Sequence, residues 1–275
     1  MTTIMLPTTN RIGAAFARAK SEGRKALILY LTAGDPGRET SRRLILAAAR
    51  AGADIVEVGV PWSDPSADGP AIQAAMLRAL EAGGGLKATL EICRAVRAEL
   101  PGLPLVLFGY ANPVFVRGPK AFAAAAKDAD VDGVLCVDWP PEEASELTSE
   151  LRSHNLDFIP LLAPTSTAER VGKIAPEASG FLYYVSLTGI TGAKLVDLDG
   201  PRRHVAEIRE LSGGTLPIAV GFGVSTPDDV RAVASFADGV VVGTAAVRVI
   251  EAAIKDGHDP VPALERFVAT LRAAL

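Results

Sequence analysis

Eight short apolar runs separated by longer amphipathic stretches set the tightest limit on what this chain can fold into. The runs are Ala26 to Thr32, Asp54 to Gly59, Pro104 to Gly109, Gly133 to Val137, Phe158 to Ala163, Gly180 to Ser186, Pro217 to Gly221 and Gly239 to Gly243. LVLFGY, GVLCVD and GVVVGT are apolar without alternation, as strands covered on both faces must be. The stretches between them are rich in Ala, Leu, Arg and Glu, the pattern of helices wrapped around a parallel sheet. Eight such units predict an α/β fold, a single (β/α)8 TIM barrel over residues 1–275. The length fits, since such barrels typically run to about 250 residues.

Local signals place the helices. In Thr226-Pro227-Asp228-Asp229 a hydroxyl cap precedes proline at the first helical position, and the acids suit the positive end of the helix dipole. Gly83-Gly84-Gly85 ends one helix and leads into a second, Leu86 to Leu100, so an extra helix follows strand two. Another extra helix, Arg11 to Glu22, precedes strand one and would cap the barrel bottom. There is no Pro/Gly/Ser-rich linker to divide the chain. No GxGxxG opens a helix after strand one, where AGDPG stands instead, which argues against an open dinucleotide-binding sheet.

Composition removes several classes of function. Charges of both signs are interspersed and sum to -4, which leaves no basic face for nucleic acid or membrane. Cys93 and Cys136 lie far apart in apolar runs, without zinc-ligand spacing, and read as buried free thiols. MTTIMLPTTNRIG lacks the pattern of a secretory signal and no run of about 18 apolar residues occurs, so the expected location is cytoplasmic. His154, His204 and His258 fall outside the strand ends, and neither GxSxG nor a P-loop is present.

In a barrel the chemistry gathers where strands end and the following loops begin. Glu57 stands inside the apolar DIVEVGV, in phase with Ile55 and Gly59. A buried carboxylate there costs several kcal/mol unless it is paired or protonated. It is either satisfied by a lysine or by backbone donors, or it is a general acid/base with its pKa raised by burial. Asp64 and Asp68 lie in the next loop, WSDPSADGP. Asp64, before proline, reads as turn chemistry, bonding the backbone beyond it. Asp68 is open between a helix cap and a functional carboxylate.

EVGVPWSDPSADGP is similar to the signature of the tryptophan synthase alpha family, in which a strand glutamate and a loop aspartate are the two catalytic carboxylates. They fall on Glu57 and Asp68. The resemblance continues through YLTAGDP (Tyr30 to Pro36), FGYANP (Phe108 to Pro113), YYVSLTGITG (Tyr183 to Gly192), VGFGVST (Val220 to Thr226) and VVVGTA (Val240 to Ala245). It implies a lyase that performs retro-aldol cleavage of indole-3-glycerol phosphate to indole and glyceraldehyde 3-phosphate, with no cofactor of its own. Pyridoxal phosphate belongs to the family's beta subunit, the partner with which an alpha2-beta2 heterotetramer is expected.

Glycines at the ends of strands seven and eight, Gly221, Gly223 and Gly243, would let amides approach an anion, helped by the helix starts beyond them. The resemblance puts the substrate phosphate against Gly192, Gly223, Gly243 and Thr244; the family often has serine at the last position. It places most of Tyr30, Phe108, Tyr110, Leu135, Tyr183 and Phe222 around the indole ring. Leu187 to Pro201 is long for a loop and reads as a lid, in which Thr191 would meet Asp68 on closure. Trp62 and Ser66 depart from the family's usual residues in the loop facing the partner, and Trp62 is expected to be exposed there. The alternatives are another phosphate-binding barrel, such as an indole-glycerol-phosphate synthase or a sugar-phosphate isomerase, or a regulatory subunit without chemistry. The first would need a strand-end lysine, and the strand runs hold none.

Overall fold

A computed structural model describes residues 10–185, 198–221 and 223–275. In chain order its elements are α1 (Arg11–Ser21), β1 (Ala26–Thr32), α2 (Arg38–Arg50), β2 (Ile55–Gly59), α3 (Pro70–Glu81), α4 (Leu86–Glu99), β3 (Leu105–Gly109), α5 (Ala111–Arg117) and α6 (Pro119–Asp128). They continue with β4 (Gly133–Cys136), α7 (Ser145–Ser153), β5 (Asp157–Phe158), β6 (Leu161–Leu162), α8 (Ala168–Ile174), β7 (Leu182–Val185) and α9 (Asp199–Leu211). The last are β8 (Ile218–Gly221), α10 (Pro227–Ala234), β9 (Gly239–Val242), α11 (Thr244–Lys255) and α12 (Pro260–Arg272).

The strands form one sheet in the order β5, β4, β3, β2, β1, β9, β8, β7, β6, and every pair is parallel. One expectation needs correcting here. The run Phe158 to Ala163 is two short strands, one at each end of the sheet order. Pro160 lies between them and has no N–H to continue a ladder. Ile159 N–H still donates to the Val134 carbonyl (2.9 Å), and the Pro160 carbonyl accepts from Tyr183 N–H (3.2 Å). The chain thus turns from one neighbour to the other at the proline, and this closes the barrel. A second correction concerns the lid. Residues 187–197 lie outside the described residues, while Asp199, Gly200 and Pro201 already belong to α9.

Two apolar layers follow from the closure. Between strands and helices lies one formed by residues such as Leu27, Val56, Leu105 and Val240, and inside the barrel lies another that includes Ile28, Ile55, Val106, Leu135, Ala219 and Val241. Helix α1 joins the inner layer through Ile12, Ala15, Phe16 and Ala19, and Phe16 meets Phe181 at 5.7 Å between ring centroids. It plugs the bottom as expected. Gly133 makes the plug possible, because a Cβ there would sit 2.7 Å from Ile159 Cδ1 and 3.2 Å from Ile12 Cδ1.

Aspartates just before three strands fasten the same end. Asp54 accepts from Leu27 N–H (2.9 Å), Asp132 from Leu105 N–H (2.8 Å) and Asp238 from Ile218 N–H (3.0 Å), each tying the start of the neighbouring strand. Arginines neutralise them: Arg24 on Asp54, Arg11 and Arg97 on Asp132, Arg209 on Asp238. Asp132→Ala should destabilise the fold by about 1–3 kcal/mol, because the buried Leu105 N–H loses its acceptor while Arg97 keeps Asp130. Urea denaturation measures this, and a loss under about 1 kcal/mol would show that these bonds contribute little net.

Candidate active site

The mouth of the barrel gathers its polar residues from the ends of β1, β2, β3 and β7. Glu57 pairs in register with Tyr30 of β1 and Val106 of β3, so its side chain enters the barrel among inner-layer residues. It is fully buried. Neither carboxyl oxygen has a hydrogen-bond partner among the described residues, so none of their lysines or backbone donors satisfies it. Burial pushes its pKa up to about 8, which keeps it protonated at neutral pH. Of the two readings open in the sequence, the paired structural glutamate finds no partner among the described residues.

Asp68 sits in the loop between β2 and α3. The cap of α3 is Gly69, which makes no side-chain cap bond, so Asp68 is not a helix cap. Its carboxylate instead accepts the Tyr110 hydroxyl proton at 2.6 Å, while the same hydroxyl oxygen accepts from Ala67 N–H at 3.1 Å. Burial raises the Asp68 pKa and the tyrosine bond opposes that rise. Asp64 differs from expectation: its carboxylate accepts from the Ser63 hydroxyl, and the turn is closed by its carbonyl, which accepts from Ser66 N–H.

Tyr30, Phe108, Tyr110, Leu135 and Tyr183 are all buried at this end. Phe108 stands edge-on to Tyr30 (5.1 Å between centroids) and to Tyr183 (6.4 Å), which builds an aromatic wall beside the carboxyls. The Tyr30 hydroxyl is within 3.3 Å of Thr32 Oγ1. Burial and the charges of Asp68 and Glu57 hold the hydroxyls of Tyr30 and Tyr183 far from ionising. Phe222, Thr191 and Gly192 lie outside the described residues.

The strand-end glycines divide into two kinds. A Cβ on Gly221 would lie 2.1 Å from the Tyr183 hydroxyl oxygen, so this glycine makes room for a tyrosine. The start of α10 is also occupied, because Asp229 accepts from the amides of Ser225 and Thr226 and Thr226 Oγ1 accepts from Asp229 N–H. Helix α11 differs. Gly243 is its cap and makes no side-chain bond, and Thr244 is its first residue, so the first-turn amides keep their donor capacity beside Tyr30. Gly223, with φ +54°, is exposed nearby in the chain after β8.

Trp62 is half-buried, which corrects the expectation that it stands exposed on the loop. The exposed apolar residues at this end are Phe115 (61%) and Val116 (81%) on α5, with Phe115 stacked on Trp139 at 4.3 Å. Sequence reasoning missed them, since FVRG reads as an ordinary helix end.

The family model described as tryptophan synthase alpha chain matches residues 16–275. This chain belongs to the tryptophan synthase alpha chain family. The protein of that name from Geobacter sulfurreducens is 48% identical over 97% of this chain and 99% of its own, and that from Ralstonia nicotianae is 46% identical over 97% and 99%. Among solved structures, the alpha subunit from Legionella pneumophila superposes with a TM-score of 0.90 at 38% identity, covering 97% of this chain and 98% of that one. A chain of tryptophan synthase from Mycobacterium tuberculosis gives 0.87 at 34%, covering 96% and 98%. As a tryptophan synthase alpha chain the protein is a lyase of tryptophan biosynthesis, cleaving indole-3-glycerol phosphate to indole and glyceraldehyde 3-phosphate. Family members work with a beta subunit.

Proposed function

We propose that Glu57 carries both protons of the cleavage and that Asp68 holds the indole N–H. Protonated Glu57 delivers its proton to C3 of the indole ring, which leaves positive charge on the ring nitrogen beside ionised Asp68. The ionised Glu57 then takes the proton of the hydroxyl on the side-chain carbon attached to C3. That oxygen becomes the aldehyde oxygen, the carbon-carbon bond breaks, and its electrons return to the ring. Glu57 ends protonated, as it began. Two carboxyls thus divide the work through their surroundings. The observation that carries this reading is the buried Glu57 with no partner, pushed to about 8.

Tyr30, Phe108, Leu135 and Tyr183, with Phe222, would wall the ring. The phosphate would take the open amides of α11 at Gly243 and Thr244, with Gly223 and Gly192 completing the pocket, and the lid threonine Thr191 would meet Asp68 on closure. No step needs a cofactor. One catalytic domain spans the chain and works in the cytoplasm; no described helix is long and apolar enough to cross a membrane.

The beta subunit would dock over Phe115 and Val116, large apolar side chains exposed beside the mouth, in an alpha2-beta2 assembly. Docking would favour the arrangement with Asp68 over the pocket, which links partner binding to turnover. The deciding experiment is an indole-release assay on the isolated chain, titrated with a cognate beta subunit. The chain alone should cleave slowly and gain about tenfold or more on saturation. Full rate without a partner would remove the coupling, and no indole under either condition would leave only a regulatory role.

A further inference from the structure

We propose that Tyr110 is the positioning residue that makes Asp68 usable, by fastening the loop between β2 and α3 to the end of β3 through one hydroxyl. Residues 61–69 make local bonds among themselves and with α3: Ser66 N–H to the Asp64 carbonyl, Asp68 N–H to the Pro65 carbonyl, and Gln73 Nε2 to the Asp68 carbonyl. Among the described residues, the hydrogen bonds that tie this loop to another part of the barrel are the two at Tyr110. The rest of the loop has nothing comparable to fix its distance from the pocket.

The direction of each bond is settled by what the atoms can do. Ala67 N–H can only donate, so the Tyr110 oxygen accepts from it and the single hydroxyl proton goes to Asp68. That bond occupies Asp68 Oδ2 and leaves Oδ1 for a substrate N–H. The ring cannot drift, since Tyr110 is 3% exposed and caps α5, and the next amide, Ala111 N–H, donates to Asp138 Oδ1 at 2.7 Å. Tyr110 and the adjacent Ala111 amide together join the loops after β2, β3 and β4. The groups around Asp68 are Tyr110 from the β3 end, Tyr30 of β1 and Tyr183 of β7, and Glu57 of β2 acts on the same two tyrosines. Of these, the Tyr110 bond is what favours the ionised carboxylate against its burial.

This inference rests on the role proposed for Asp68. Its test is Tyr110→Phe in the full chain, which removes the hydroxyl and keeps the ring. kcat/KM for indole-3-glycerol phosphate should fall about 100-fold, the cost of a slightly misplaced group. The acid limb of the pH profile should move to higher pH, because the carboxylate loses a donor to its ionised form. Affinity for free indole should stay within about twofold if the wall is intact. In an Asp68→Asn background the same change should add little, since both act through one group. A loss below tenfold, or an unmoved acid limb, overturns the proposal while Asp68→Asn still lowers turnover severely. If Asp68→Asn itself stays active, the underlying role of Asp68 is what fails.

Discussion

Glu57→Gln is expected to abolish indole release while leaving the fold and substrate affinity in place. The amide keeps the shape of the side chain and cannot give up or regain a proton. Loss of a general acid/base typically costs about 100- to 10,000-fold, and one group serving both proton transfers puts the effect at the upper end. Turnover above a tenth of wild type would refute the assignment. The same carboxyl predicts how wild-type activity varies with pH. Its protonated form starts the reaction and burial holds its pKa at about 8, so kcat/KM should fall as pH rises through about 8. Stability should show the same group with the opposite benefit. An unfolded chain releases this proton near the ordinary glutamate value, whereas the folded protein keeps it to about 8. The wild type therefore loses stability as pH rises between those values, and the Glu57→Gln variant is expected to escape that loss. A variant both less active and less stable across the whole range would point to a structural role.

Asp68→Asn should lower kcat by about 100- to 1,000-fold, the usual effect of removing one preorganised electrostatic contact to developing charge. The neutral amide can still accept from the Tyr110 hydroxyl but cannot balance positive charge on the ring nitrogen. Thermal stability should change little, because the residue caps no helix and its loop has few ties to the barrel. Activity preserved with a large drop in Tm would restore the helix-cap reading. The two variants should also differ in pH behaviour. Glu57→Gln removes the alkaline limb together with activity, whereas the residual rate of Asp68→Asn should keep the limb near 8 that belongs to Glu57.

Much of this was legible in the residues alone. Eight continuous apolar runs of five to seven residues separated by capped amphipathic stretches point to a parallel sheet covered on both faces, and their number, with no GxGxxG after the first, favours a barrel. The Thr226-Pro227 start and the paired helices after β2 were readable because caps act over one turn of chain. Glu57 stood out because a lone carboxyl inside an apolar strand is costly wherever the chain goes. The motifs around it were enough to indicate the family and the reaction.

The tertiary structure decided what depends on neighbours distant in sequence. Pro160 splits the fifth strand because two different partners claim its two sides. Gly221 faces a tyrosine hydroxyl that no local pattern reveals, and the helix start left without a side-chain cap is that of α11, whereas Asp229 has filled that of α10. Trp62 is half-buried while Phe115 stays exposed, a difference that local sequence does not show. Whether Glu57 had a counter-ion, and whether Asp68 capped a helix or met Tyr110, were likewise questions of contact. Periodicity and caps are properties of consecutive residues, so the sequence determined the barrel and its candidate carboxyls by itself. Hydrogen-bond partners and burial are properties of residues brought together from distant parts of the chain, as Asp68 and Tyr110 are across 42 positions, and only the closed barrel could assign them.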